Sequence, residues 1–131
     1  IPLLLQSKGA VAAVHVGRKG LINRVAEKAI DVMREISDEK ISAIIGPAIC
    51  GKCYEVSPEI FSEVTASHPD SASHTAANTP SLDLVTALIS DIRKLGIAEI
   101  DNQSRCTLEH DDLYSYRRDG ATGRQAGLVW L

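Results

Sequence analysis

The sequence has few cysteines, no long apolar run and no excess of basic residues. Each of these absences argues against one class of protein. Three cysteines cannot form the complete disulfide framework of a small secreted protein. No apolar run approaches the roughly 20 residues that a membrane-spanning helix needs, and no basic-then-apolar leader is visible. The formal net charge of −3 argues against a general nucleic-acid-binding protein, which usually carries a basic surplus. We therefore expect a soluble, cytoplasmic protein without nucleic-acid or membrane partners; its oligomeric state is not predicted.

Length and composition bound the architecture. With 131 residues, 44% of them hydrophobic, the chain is long enough to bury a core without disulfide or metal staples. We therefore expect one domain over residues 1–131. The first residues, from Ile1 to Leu5, read as the interior of a strand, whereas chain termini normally lie at the surface. This pattern leads us to expect that an upstream segment is missing.

Strand-like and helix-like patterns mix along the chain, which indicates an α/β or α+β fold. Lys8-Gly9 separates two apolar runs as in a hairpin, and Ser57-Pro58 supplies a cap and a first-turn proline for a helix. The stretch from His68 to Pro80, rich in small polar residues, is interpreted as a mobile surface loop. The predicted strands are 3–5, 10–16, 41–45, 97–100 and 125–131, and the predicted helices are 20–37, one beginning near 57, and 84–95, the last capped by Asp83.

A strand that ends in a histidine leads directly into a glycine-bounded basic turn. His15 ends the apolar run, and Arg18 and Lys19 lie between Gly17 and Gly20, where a helix begins. Glycines permit close approach of a ligand, and a helix N-terminus offers unpaired N–H groups, so the segment suits an anion. Histidine at a strand end also suits a metal ligand or a proton carrier. The alternative is a satisfied core histidine beside a basic turn.

The C-terminal segment, Ser115 to Leu131, gathers three arginines around a glycine-bounded turn. Arg117, Arg118 and Arg124 each present a planar fork of donors that suits carboxylate or phosphate. A turn that collects several guanidinium groups predicts an anion site. The alternative is a solvated hairpin whose charges only maintain solubility.

The cysteines allow more than one interpretation. The spacing of Cys50 and Cys53 suits a thiol–disulfide couple or half of a zinc knuckle. Only Cys106 remains elsewhere, so the chain cannot form a four-cysteine site, and a site with four ligands would need another kind of residue. Because Gly46-Pro47 separates the pair from its strand and no helix clearly follows, we interpret the pair as thiols of a pocket-lining loop that form no functional disulfide. The histidines in polar surroundings are interpreted as surface residues: His68, His74 and His110.

Five blocks occur in an order that resembles one family. They read Ala-Val-His-Val-Gly-Arg-Lys-Gly, Ile-Gly-Pro-Ala-Ile-x-x-x-Cys-Tyr-Glu-Val, Leu-Asp-Leu, Cys-Thr-Leu-Glu and Ser-Tyr-Arg-Arg-Asp-Gly-x-Thr-Gly-Arg-x-Ala-x-Leu-Val-Trp-Leu. Over essentially the whole chain they resemble the multicopper polyphenol oxidase (laccase-domain) family, also called the peptidoglycan editing factor or YfiH-like family. The resemblance implies an α/β fold of mixed β-sheets flanked by helices, here lacking its N-terminal part.

The resemblance also implies a metal bound by two histidines and one cysteine. His15 matches the last of these ligands, and the other two belong to blocks upstream of Ile1. The expected metal is zinc, with copper as the alternative. A single imidazole cannot hold zinc firmly, so this chain alone is expected to be metal-free or weakly loaded and nearly inactive. Arg18 and Lys19 stand where the family has tryptophan and arginine; lysine keeps the charge but loses the bidentate fork.

The function implied by the resemblance is that of a zinc-dependent purine nucleoside phosphorylase that also deaminates adenosine and cleaves methylthioadenosine. Purine nucleosides and phosphate are the expected partners, and Lys19, Arg117 and Arg124 are the predicted phosphate-binding residues. No side chain is singled out as catalytic. Copper-dependent phenol oxidation is the second enzymatic alternative. The non-enzymatic alternative is an inactive fragment or interaction module, or a role in peptidoglycan editing.

Overall fold

A four-stranded sheet with one buried face organises the chain. The computed structural model describes all residues, 1–131. The strands are β1 (Pro2–Ser7), β2 (Ala10–His15), β3 (Ser42–Ile45), β4 (Ala72–His74), β5 (Pro80–Leu82) and β6 (Ile100–Asn102). The helices are α1 (Arg18–Ile22), α2 (Val25–Ile36), α3 (Pro58–Ser67), α4 (Leu84–Lys94) and α5 (Tyr116–Asp119), with a 3₁₀ turn at Pro69–Ser71. This mixture of strands and helices confirms the predicted class.

The main sheet is mixed, with strand order β2-β1-β3-β6. β1 pairs antiparallel with both β2 and β3, whereas β3 and β6 run parallel. The predicted hairpin at Lys8-Gly9 is confirmed, and Gly9 makes the turn at a φ of 94°, which glycine adopts without a Cβ penalty. β4 and β5 form a separate antiparallel pair.

The two faces of the main sheet differ in burial because successive side chains of a strand point to opposite faces. Leu3, Leu5 and Ile45 lie on one face and are completely buried in the core. Leu4, paired with Ala13 and Ile44, lies on the opposite face, where Ile44 is 39% exposed. Pro2 lies on this outer face too, and its partner is His15. The pleat therefore places His15 outside the core.

The prediction of one helix from 20 to 37 is wrong, because the chain breaks it between α1 and α2. Arg24 adopts a left-handed conformation, with a φ of 56°, and its guanidinium pairs with Glu27. In a continuous helix Leu21 and Ala26 would point about 140° apart, given 3.6 residues per turn. The break allows both to be buried, at 3% and 6% exposure.

Both predicted helix caps are confirmed. The Ser57 hydroxyl accepts a hydrogen bond from the amide of Ile60, and Pro58 occupies the first turn of α3. The Asp83 carboxylate accepts one from the amide of Thr86, at 2.9 Å, and so caps α4. No helix of the chain has the length and apolar character required to cross a membrane.

The interpretation of 68–80 as a mobile surface loop overlooked regular structure in that range, and the strand predicted at 97–100 begins only at Ile100. Residues within 68–80 form the 3₁₀ turn and β4, because β4 pairs with β5 and polar side chains bond the backbone of the neighbouring turns. The Ser71 hydroxyl donates to the carbonyl of His68, and the Thr75 hydroxyl accepts from the amide of Thr79. The last strand is Ile100–Asn102, in register with Ala43 to Ile45 of β3.

The predicted strand at 125–131 is also wrong. No backbone–backbone hydrogen bond involves residues 121–131, and a strand without a paired neighbour is not stable. Leu128, Trp130 and Leu131 are 74–78% exposed. The segment touches the outer face of the sheet at Gly127, whose Cα lies so near Leu4 that an added Cβ would be 3.1 Å from Leu4 Cδ2.

Candidate functional site

His15 lies at the end of β2 and is exposed on the outer face of the sheet. Gly17 gives its ring room, because a Cβ at that position would stand 3.3 Å from the imidazole Nε2. His15 does not belong to any group of three or more metal-ligating side chains in the structure. The residues of this chain therefore do not complete the metal site that the resemblance implies at His15.

The two cations of the first basic turn differ in their partners. Arg18 donates to Glu63 Oε2 at 3.3 Å and is engaged in an ion pair. Lys19, next to it in α1, is exposed and has no acidic partner. The turn thus leaves Lys19 available to an anion.

Arg118 connects the C-terminal segment to the neighbouring loops by hydrogen bonds. Its guanidinium donates to the carbonyl oxygens of Thr107, His110 and Leu113, at 2.8–3.1 Å. It also makes a bidentate pair with Asp119, both contacts at 2.9 Å. The hydrogen bond to Asp119 raises the pKa of Arg118, and the same bond lowers the pKa of Asp119. Arg118 is therefore engaged in holding loops together.

Arg117 and Arg124 retain free donors. Arg117 donates through Nη1 to the carbonyl of Glu55 at 3.2 Å, and its Cζ lies 5.3 Å from the ring centre of Tyr54. Arg124 also uses Nη1, toward the carbonyls of Thr122 and Gly123. Neither guanidinium pairs with a carboxylate. Each can still offer Nε and Nη2 to an anion.

A second constellation, which we call the thiol cluster, comprises Cys50, Cys53, Cys106 and Glu109. The three sulfurs and a carboxylate oxygen all lie within 4.8 Å of one another, and the cysteines are free thiols. A parallel bridge between Ala48 and Cys106 brings the two contributing loops together. Three thiols and a carboxylate form a donor set that metals bind in proteins, so the cluster supports metal binding.

The thiols differ in acidity. Burial opposes ionisation of Cys106, but hydrogen bonds from the amides of Cys50, Glu109 and Leu108 outweigh it and lower its pKa. Burial, followed by hydrogen bonds with the other two thiols, raises the pKa of Cys53 well above its usual value. Burial is also the main cause of the raised pKa of Cys50. Hydrogen bonds thus favour the thiolate form of Cys106, whereas burial disfavours it at Cys50 and Cys53.

Sequence reasoning did not find this cluster, although a signal was present. Cys106 and Glu109 have the same three-residue separation as Cys50 and Cys53, which suits two turns that each offer two ligands. Cys50 and Cys106 also line a cavity of about 170 Å³ next to Asp83. The distance of 56 positions between these two cysteines is bridged only by the fold.

His68 is a further residue that sequence reasoning misjudged, because its side chain is only 9% exposed. Its Nε2 lies 3.1 Å from Asp91 Oδ2, and its Nδ1 lies 2.9 Å from the Ser67 hydroxyl. These side chains line a cleft of about 330 Å³ beside α1. The pair joins α4 to the end of α3, and we interpret it as structural.

Known proteins resemble this chain over its whole length. A family model described as "Multi-copper polyphenol oxidoreductase laccase" matches residues 1–131. A purine nucleoside phosphorylase of Corynebacterium glutamicum is 42% identical over 135 residues, which cover 100% of this chain and 55% of that protein. One of Streptomyces coelicolor is 41% identical and aligned over 100% of this chain and 56% of its own length. The chain thus spans about half the length of these curated relatives.

A solved structure supports the fold. The crystal structure of a Neisseria meningitidis protein of the family DUF152 superimposes with a TM-score of 0.78, at 29% identity. The likeness covers 93% of this chain and 52% of that one. It confirms the predicted mixed sheets with flanking helices. Because the family match extends over every residue, this chain belongs to the multi-copper polyphenol oxidoreductase laccase family.

Proposed function

We propose that this chain forms part of a zinc-dependent purine nucleoside phosphorylase of the cytoplasm. The relatives that match the whole chain carry that name, and they are about twice as long. The activity proposed here is therefore that of a protein of the relatives' length. Free thiols suit a reducing compartment such as the cytoplasm.

The observation that carries the assignment is the distribution of ion pairs in the two basic segments. Arg18 and Arg118 are paired with carboxylates, whereas Lys19, Arg117 and Arg124 are exposed and have no acidic partner. Unpaired cations on a chain of net negative charge suit a small anionic ligand. In the proposal these three residues bind phosphate.

In phosphorolysis such cations act by positioning the phosphate and by balancing its charge. A phosphate oxygen forms a bond to C1′ of the nucleoside while the bond from C1′ to the purine nitrogen breaks. The purine takes up a proton, and the products are the free base and ribose 1-phosphate. Cations that hold the phosphate near C1′ raise its effective concentration and orient it for attack. No side chain of this chain is assigned as the acid or base.

His15 is the residue of this chain that we propose as a zinc ligand. In a protein that supplies the two further ligands, His15 would be one of three zinc ligands, and zinc would activate water. Adenosine deamination and methylthioadenosine cleavage are further activities that we propose for such a protein. Within this chain the ligand set around His15 is incomplete.

The test is phosphorolysis of inosine or adenosine by a protein of the relatives' length, with free base measured by chromatography. Lys19→Ala, Arg117→Ala and Arg124→Ala should each raise KM for phosphate by about tenfold, which corresponds to about 1.4 kcal/mol. The control is Arg93→Ala, which removes an exposed arginine of α4 without an ion pair. Equal effects of Arg93→Ala and Arg117→Ala would refute the assignment.

The family's printed description favours one other candidate function, oxidation of phenols. Oxygen consumption with a phenolic substrate after loading with copper distinguishes it from phosphorolysis. Phenol turnover without release of free base would replace the phosphorylase proposal.

A further inference from the structure

The thiol cluster, Cys50, Cys53, Cys106 and Glu109, has no role in the proposed reaction. Its ligands come from two turns. Cys50 and Cys53 lie on one, closed by hydrogen bonds from the amides of Cys53 and Tyr54 to the carbonyl of Cys50. Cys106 and Glu109 lie on the other, closed by the amide of His110 to the carbonyl of Cys106. Two turns that each offer a first and a fourth residue match the arrangement of structural zinc sites.

The distances suit a tetrahedral ion. With zinc–sulfur bonds of about 2.3 Å, the sulfurs of a tetrahedral site are about 3.8 Å apart. All four ligand atoms here lie within 4.8 Å of one another, and Cys50 Sγ is already 3.7 Å from Glu109 Oε2. A contraction of about 1 Å at most completes the site, and exposed Glu109 can move that far.

Hydrogen bonds around the cluster orient its ligands. The amide of Cys50 donates to Cys106 Sγ at 3.4 Å, so this sulfur is oriented toward its neighbours before any ion binds. Backbone hydrogen bonds from Ala48 to Arg105 and from Thr107 to Ala48 fix the two loops against each other. Outer hydrogen bonds of this kind orient ligands at metal centres. Cys50 and Cys106 also border a cavity, so this side of the cluster is not fully packed.

We propose that Cys50, Cys53, Cys106 and Glu109 bind one zinc ion in a closed, structural site, separate from the metal assigned to His15. Zinc suits a mixed set of thiolates and one carboxylate, whereas softer copper(I) prefers sulfur alone. Four protein ligands leave no open position for water, which distinguishes a structural site from a catalytic one. The thiols release their protons as the ion binds.

The site would also hold the arginine segment. Tyr54 and Glu55 directly follow Cys53 and contact Arg117, while Thr107 and Leu108 lie between Cys106 and Glu109 and accept hydrogen bonds from Arg118. An ion that locks the two turns therefore fixes the anchors of both arginines. The zinc assignment does not rest on the phosphorylase proposal, because metal content and spectra test it without any activity assay.

The experiment loads the reduced, metal-stripped chain with zinc, and in parallel with cobalt(II) as a spectroscopic probe. The expectation of a metal-free chain considered His15 alone, whereas the thiol cluster adds four ligands. We now expect one zinc per chain and a cobalt spectrum with strong thiolate charge transfer and the intense visible bands of tetrahedral coordination. His15→Ala should leave both unchanged. Cys53→Ser and Cys106→Ser should weaken zinc binding by more than about 100-fold, beyond the usual loss of an outer-shell partner.

Glu109→Gln gives a variant that keeps all three cysteines and is exposed, so it does not threaten folding. It should weaken zinc binding by about tenfold or more and reduce the tetrahedral cobalt bands, while circular dichroism stays unchanged. The matched control is Glu99→Gln, an exposed carboxylate outside the cluster, which should bind zinc like the parent. The proposal is overturned by a cobalt spectrum without thiolate charge transfer, by zinc lost in His15→Ala, or by equal affinity of Glu109→Gln and Glu99→Gln.

Discussion

Gly51 lies between the thiol cluster and the cap of α4, and its replacement by alanine tests how closely these parts are packed. A Cβ at Gly51 would be 2.7 Å from Asp83 Cβ, 3.0 Å from Ser73 Oγ and 3.1 Å from Asp83 Cγ. Ordinary contact begins at 3.4 Å, so the methyl group is about 0.7 Å too near the first atom. Gly51 is buried and its φ lies outside the left-handed region, so this overlap is the main effect of the substitution.

Overpacking of this kind costs about 1–3 kcal/mol. For a chain of this size, 1 kcal/mol lowers Tm by about 3–5 °C, so Gly51→Ala should lower Tm by about 3–15 °C. Thermal unfolding followed by circular dichroism, with a chelator present, measures this without any contribution from bound metal. Gly127→Ala is the control, because its Cβ would meet only the mobile end of the Leu4 side chain, at 3.1 Å.

A double-mutant cycle locates the cause. Asp83→Gly removes the nearest of the atoms that obstruct alanine, Asp83 Cβ, together with Cγ, and leaves Ser73 Oγ at 3.0 Å. Glycine at a helix cap costs only a few tenths of a kcal/mol relative to aspartate. Gly51→Ala should therefore cost clearly less in the Asp83→Gly background than in the parent. An equal loss of Tm in the two backgrounds, or no loss in the parent, would show that the turn does not pack against α4 as described.

Three further changes test other parts of the structure. Asp91→Ala leaves the buried imidazole of His68 without its Nε2 partner and should cost about 1–3 kcal/mol in urea denaturation; an unchanged midpoint would contradict the pair. The pKa of Asp119 is lowered by its bond to Arg118, so the stabilisation it provides is complete above its unfolded pKa and lost as pH falls through the folded value; Asp119→Asn should remove that part of the acid sensitivity in a pH titration of Tm. His15→Ala removes an exposed side chain and should change the free energy of unfolding of this chain by less than about 0.5 kcal/mol, and a larger loss in the same assay would place His15 in a packed role.

Much of the local structure could be predicted because its causes lie within a few residues of each other. The Lys8-Gly9 turn, the Ser57 cap and the Asp83 cap all act over at most three positions, and all three are confirmed. The apolar run of β3 was recognisable for the same reason. The order of the five motif blocks carried the family assignment, which the match over 1–131 confirms.

The predictions were wrong where the local structure depends on a residue that is distant in the chain. The pattern of 125–131 is that of a strand, but a strand forms only against a neighbour, and no backbone pairs with this segment. The break at Arg24 follows from the need to bury Leu21 and Ala26 against the same core. The burial of His68 depends on Asp91, which arrives on another helix.

Some features of the candidate site likewise follow from short segments, and others depend on residues distant in the chain. The sequence by itself determined the basic turns, the family and the residue types available, because these are properties of short segments. Which cations remain free was decided by tertiary structure, since Arg18 and Lys19 are neighbours and only the former meets Glu63. The thiol cluster likewise exists only in the folded chain, because backbone pairing of Ala48 with Cys106 closes a separation of more than fifty residues. Ligands that distant in the chain are brought together by the fold and not by any local preference.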